Sequence, residues 1–240
     1  VVWGTSNEKF LDIDGRRLPI VLRRNPRAKQ LILRVESGRT SDDPDKIAVT
    51  LPRFVSDREA LAFVDSKQGW ILGRVANLPE RVAITQGTAL PFLGEELLIV
   101  HDPAARRGVW RIGSEIHVSG KLEFLSRRVT DWIKRQARLE ISERVVIKAG
   151  HLNKKAGRIS IRDTRSRWGS CASNGNLSFS WRLILAPEFV FDYVIAHEVC
   201  HLEEHNHGDN FWRLVDELTP EMDTAKAWLR HNGERLHRYG

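Results

Sequence analysis

Two cysteines, Cys171 and Cys200, are all that the 240 residues contain. That scarcity argues against a disulfide-stapled scaffold and fits a reducing compartment, so the expected location is the cytoplasm. The expected role of both thiols is that of small buried hydrophobes. No apolar run approaches the roughly 18 residues that a membrane span needs, and no membrane partner is expected. No charged-then-apolar leader precedes the first expected strand. Fixed repeats and low-complexity tracts are missing as well, as is a Gly-rich loop that would cradle phosphates.

What is present is an ordinary globular composition, 41% hydrophobic, with a formal net charge of +7 and a pI near 9.7. A length of 240 residues suits one large or two small domains. The basic balance keeps nucleic acid open as a partner through phosphate contacts and counterion release. It is equally the signature of a solvated surface, because the arginines are spread from Arg23-Arg24 to Arg165 and Arg167.

One short stretch carries chemistry. His197-Glu198-Val199-Cys200-His201 places two histidines one turn apart on the same helix face, where both imidazoles can reach one ion. Cys200 is three residues from His197 and adjacent to His201, on the wrong face to join them. Glu198 neighbours the first histidine and points about 100° away around the helix, so it suits a general base better than a ligand. A catalytic zinc takes a third protein ligand and leaves a position for water. His205 continues the row of His197 and His201 but lies roughly 12 Å along the axis from His197 if the helix persists. Asn206 and Gly208 stop helices. With the helix ending near His205, the chain turns back and presents His207 as the third ligand.

These residues, with Asn206-His207-Gly208 and Phe211-Trp212, resemble the bacterial YgjP-like metallopeptidases, relatives of the SprT-like and WLM zinc peptidases. Arg165-Ser166-Arg167-Trp168-Gly169-Ser170-Cys171 and the Trp181 to Pro187 run extend the resemblance over most of the chain. It implies one zinc ion per chain on His197, His201 and His207, Glu198 as catalytic acid/base, and a protein or peptide substrate. The longer metzincin signature has Gly where this chain has Glu204, so the turn before His207 must form differently.

The expected fold class is α+β: a strand-rich N-terminal part, then a zincin-like part with the metal helix and a small sheet. Short strands are expected over 10–13, 18–24, 30–35 and 47–51, with a turn at Asp14-Gly15 and a polar loop over 37–45. One helix is expected over 56–78, opened by a Ser56/Glu59 capping box and closed by Pro79. Strand-like runs return over 91–100, with a turn at Gly94, and over 109–118. The charged segment near 119–128 marks the expected boundary between a domain 1–120, which positions substrate or a partner, and a metallopeptidase domain 121–240. Val129, Ile133, Ala137, Ile141, Val145 and Ala149 repeat every four residues and predict a long amphipathic helix ending at Gly150.

Residues 158–185 read as a hairpin or small sheet, with a tight turn at Asn174-Gly175 between Trp168–Cys171 and a strand over 177–185. Pro187 suits the first turn of the metal helix. An edge strand there can pair with an extended peptide and hold its carbonyl over the metal. Gly169 would allow close backbone approach. Trp168 is either a subsite wall or a core anchor. Arg165 and Arg167 either contact a substrate carboxylate or phosphate or cover the sheet edge. Tyr193, one turn before His197, either orients a ligand or the water or packs. A short packing helix is expected after His207, and a last one ending near Asn232-Gly233. Two other functions stay open: a metal-dependent nucleotide pyrophosphatase, and a nucleic-acid-binding module with structural zinc. Glu198 speaks against the second, since a closed site has no use for a base.

Overall fold

A computed structural model of the chain describes residues 2–3, 9–36, 38, 44–76 and 81–239. The fold is α+β, and the chain divides into two compact units, Val1–Glu80 and Arg81–Gly240.

The first unit contains β1 (Val2–Trp3), β2 (Lys9–Ile13), β3 (Arg16–Arg24), β4 (Ile32–Glu36) and β5 (Lys46–Leu51), then α1 (Asp57–Ser66) and α2 (Gln68–Ala76). The strands form one sheet in the order β1-β2-β3-β5-β4, in which β3 and β5 run parallel. Register sets Ile20 opposite Ile47 and Leu22 opposite Val49. The alternating apolar face so formed is buried with Ala60, Leu61, Val64, Ile71 and Val75 of the two helices. The capping box is present: Ser56 Oγ accepts the Glu59 N–H at 3.2 Å, and the Ser56 N–H donates to Glu59 Oε2 at 2.8 Å.

The single helix expected over 56–78 is two helices. Lys67 leaves helical geometry at φ −108° and ψ 13°, its N–H closing onto Val64 and Asp65. Pro79, the expected stop, lies outside the described residues, as do Ser37 and residues 39–43 of the expected polar loop.

The second unit opens with a four-stranded sheet, ordered β6-β7-β9-β8. Its strands are β6 (Ala89–Phe92), β7 (Glu95–Asp102), β8 (Val109–Ile112) and β9 (Glu115–Ser119). The run expected over 109–118 is thus a hairpin, turning at Gly113 with φ +55°. Helix α3 (Leu125–His151) follows, and its four-residue repeat is buried from Val129 to Ala149. Leu90, Phe92, Leu97, Ile99, Ile116 and Val118 share one core with that stripe. The boundary expected at residue 120 therefore falls inside this unit. An apolar sheet face needs cover, and α3 supplies it. The charged stretch from Lys121 is a short 3₁₀ turn leading into the helix.

Next come β10 (Ile159–Arg162), β11 (Gly169–Cys171) and β12 (Leu177–Ser180), in the order β10-β12-β11. Residues Trp181–Leu185, expected to continue the strand, form a fully buried 3₁₀ turn. A short apolar run does not by itself distinguish strand from buried turn. Helices α4 (Glu188–Cys200), α5 (Asp209–Leu218) and α6 (Met222–Asn232) complete the unit. No helix among the described residues is long and apolar enough to cross a membrane.

Candidate metal centre

The site is assembled from α4, the turn after it, α5 and the β11 edge. β11 and β12 form a hairpin closed at Ala172, whose carbonyl accepts the Gly175 N–H at 2.8 Å and whose N–H donates to Asn176 O at 2.9 Å. Gly175 sits at φ +76°, as the Asn-Gly turn requires. Pro187 is the N-cap of α4 rather than a residue of its first turn. From Val190 on α4 is mostly buried, so it is a core element whose C-terminal end carries the polar groups.

That end comes earlier than expected. α4 stops at Cys200, with His201 as its C-cap. The Cys200 carbonyl accepts the N–H of Glu203 at 3.0 Å and of Glu204 at 2.9 Å, which coils the chain back on itself. His207 then lies just before α5. The result gathers His197, His201 and His207, one ligand atom from each lying within 4.8 Å of the others. The Nε2 atoms of His197 and His207 are 3.2 Å apart. Two nitrogens sharing a tetrahedral zinc at about 2.0–2.1 Å stand about 3.3 Å apart, so this spacing fits one ion. The Nδ1–H of His201 donates to Glu204 O at 2.9 Å, fixing the tautomer that leaves Nε2 for a metal. Burial first, with lesser contributions from His201, His207 and the Lys226 ammonium, pushes the His197 imidazole down to about 4, and burial lowers His201 as well. His205 is exposed and outside the cluster.

Glu198 points away from the three imidazoles towards β11. It is 7% exposed, and burial pushes its carboxyl up to about 7 against the pull of the Arg167 guanidinium and a hydrogen bond from the Cys171 backbone N–H. A Cβ on Gly169 would meet Glu198 Cγ at 2.5 Å and Oε1 at 2.6 Å. The close approach expected at Gly169 is thus made by the carboxylate itself. Arg167 is exposed, and the Thr164 hydroxyl holds its carbonyl at 2.9 Å.

The other expected residues fall elsewhere. Trp168 packs on the core edge, stacked on His237 at 5.0 Å and against Gly233, which makes it an anchor for the C-terminal segment. Arg165 is half-buried, and its charge acts on Arg182 and His237. Tyr193 is 7% exposed, its ring 6.0 Å from that of His197, and burial pushes its phenol up to about 12.

Phe211 and Trp212, named in the sequence only for the resemblance and for packing, prove to touch the imidazoles, and Lys226 was missed altogether. Phe211 lies 4.9, 4.5 and 4.7 Å from the rings of His197, His201 and His207, forming the floor beneath them. Trp212 stacks on His207 at 5.6 Å, and Lys226 of α6 sits over Trp212 at 3.9 Å. Only the placement of Phe211 four residues after His207 hinted at this, because α6 arrives from a distant part of the chain.

An α+β scaffold holding three convergent imidazoles beside a buried carboxylate has the class features of a metallopeptidase. The chain belongs to the YgjP-like family: the description "YgjP-like, metallopeptidase domain" matches residues 30–232. Among solved structures it is similar to the metallopeptidase zymogen abylysin of Pyrococcus abyssi, at 21% identity and a TM-score of 0.35, over 41% of this chain and 97% of that one. Among curated proteins nothing matches.

Proposed function

We propose that this metallopeptidase uses one zinc ion per chain, held by His197, His201 and His207, to hydrolyse peptide bonds with Glu198 as general base. The observation that carries the reading is the convergence of the three imidazoles on one point, with His197 and His207 Nε2 3.2 Å apart. Three neutral nitrogens that leave a fourth position open are the donor set of catalytic rather than structural zinc. When bound, zinc polarises a carbonyl and brings the pKa of a water molecule towards neutrality.

The chain's own groups do the rest. Glu198 Oε accepts the proton of the attacking water and returns it to the departing amine nitrogen. Its burial keeps competing solvent away, and the Cys171 N–H fixes the carboxylate's orientation. β11 pairs with β12 on one side only, so its other edge is where an extended peptide can add main-chain hydrogen bonds. That edge runs up to Glu198 through Gly169 and Cys171. A peptide lying along it is positioned over the base before reaction, which removes much of the entropic barrier. No observation favours nucleotide hydrolysis or a nucleic-acid-binding role with structural zinc. Elemental analysis together with turnover of Glu198→Gln tests the reading.

A further inference from the structure

Two cations flank this centre, on separate elements. Arg167 precedes β11, and its charge acts on Glu198. Lys226 lies on α6, and its charge acts on His197. The Lys226 ammonium is 3.9 Å from the Trp212 ring centroid. Trp212 lies in turn 5.8 Å from His197 and 5.6 Å from His207. A lysine stem is flexible, but the cation–π contact holds this one on the Trp212 ring, which packs against His197 and His207. Asp223, at 3.5 Å, is 90% exposed against 28% for Lys226. Water screens that ion pair, so it offsets little of the lysine charge.

A cation beside three imidazoles that hold a dication is unfavourable in the absence of an anionic ligand. It becomes favourable when an anion enters. The net charge of +7 draws acidic ligands in the same direction. We propose that Lys226, with Arg167, makes this site select peptides that carry an acidic side chain beside the scissile bond. The proposal rests on the peptidase reading above, and Lys226 acts in it as a specificity residue, leaving proton transfer to Glu198.

The test has two arms. The zinc-loaded full chain is given a mixed peptide library, and cleavage sites are read by mass spectrometry. In parallel, a fluorescent Glu-containing peptide and its Gln isostere are titrated by anisotropy against Glu198→Gln, alone and combined with changes at Lys226. Acidic residues should be enriched within two positions of the cleaved bond, and the Glu peptide should bind roughly tenfold tighter than its isostere. Lys226→Glu should abolish both preferences, and Lys226→Arg, which keeps the charge and the stacking, should retain them. The preference should also weaken as salt rises. Equal handling of Glu and Gln peptides, binding of neither, or a preference that survives Lys226→Glu would overturn the proposal. Discriminating binding without any cleavage would overturn the peptidase reading and, with it, selection at a scissile bond, whereas cleavage without discrimination would overturn this proposal alone.

Discussion

Gly169 and Glu198 are in contact, so close that a methyl group on the glycine would lie 2.5 Å from Glu198 Cγ and 2.6 Å from Oε1. The carboxylate occupies the space that a side chain would fill, which ties β11 to the C-terminal end of α4. Gly169→Ala should therefore displace Glu198 while leaving the imidazoles alone. Metal content should stay at one ion per chain, and hydrolysis should fall on the order of 10²-fold, the usual cost of misplacing a reacting group by about 1 Å. Unchanged turnover would show that the carboxylate has another productive position.

The third ligand is testable by stoichiometry. His207 lies 3.2 Å from His197 through their Nε2 atoms, whereas His205 is exposed and outside the cluster. Elemental analysis of His207→Ala should show sharply reduced zinc, and His205→Ala should keep it. The reverse pattern would reassign the ligand.

Much of this was legible in the chain. The spacing of His197, Glu198 and His201 follows from helix geometry, and Asn206 and Gly208 call for a stop before His207, although the helix ends earlier, at Cys200. Alternation and capping located most strands and the start of α1. What failed depended on tertiary contacts. Leu61, Val64, Gln68, Ile71 and Val75 keep helical spacing across Lys67, and a single polar residue at Gln68 does not by itself mark the break there. The end of α4 is set by two N–H groups closing on Cys200 O and by Phe211 stacked on His201 at 4.5 Å, neither of which a window of sequence contains. The boundary expected near residue 120 rests on a charged segment that reads as a linker, whereas the compact units divide at residue 80. The apolar face of β6–β9, which α3 covers, binds both sides of it into one core. Lys226 was invisible for the same reason: 25 or more residues separate it from the ligands on α4, and packing alone brings it there.

The division at residue 80 gives a truncation prediction. A chain beginning at Arg81 keeps the whole core around α3 and should unfold cooperatively and bind one zinc. A chain beginning at Lys121 loses Leu90, Phe92, Leu97, Ile99, Ile116 and Val118 from that core. It should aggregate or bind metal poorly. Thermal melts and elemental analysis of both decide the matter, and a well-folded zinc-loaded chain from Lys121 would restore a boundary at 120.

His237 adds a pH dependence to stability. Burial, then the Arg182 and Arg165 charges, push its imidazole down from 6.5 to about 4, and Nδ1 is buried with no hydrogen-bond partner among the described residues. The unfolded chain therefore binds a proton that the folded chain refuses. The neutral ring's stabilising contribution is complete above pH about 6.5 and is lost as pH falls towards about 4, at up to about 1.4 kcal/mol per pH unit. His237→Phe, which keeps a ring against Trp168, should flatten the stability profile across that window. Denaturant titrations from pH 7 to pH 4 check it, and an equally steep profile in the variant would show that other groups carry the effect.

The most direct test of the central claim is the zinc content and peptide turnover of Glu198→Gln, measured on one preparation. Gln keeps the size and hydrogen-bonding reach of Glu but cannot take the water's proton. With Glu198 as base and the three histidines as ligands, the variant should hold one zinc per chain and lose hydrolysis by roughly 10²-fold or more. Full turnover in the zinc-loaded variant would contradict the account by placing the base elsewhere, and loss of zinc together with activity would make Glu198 a support of the metal.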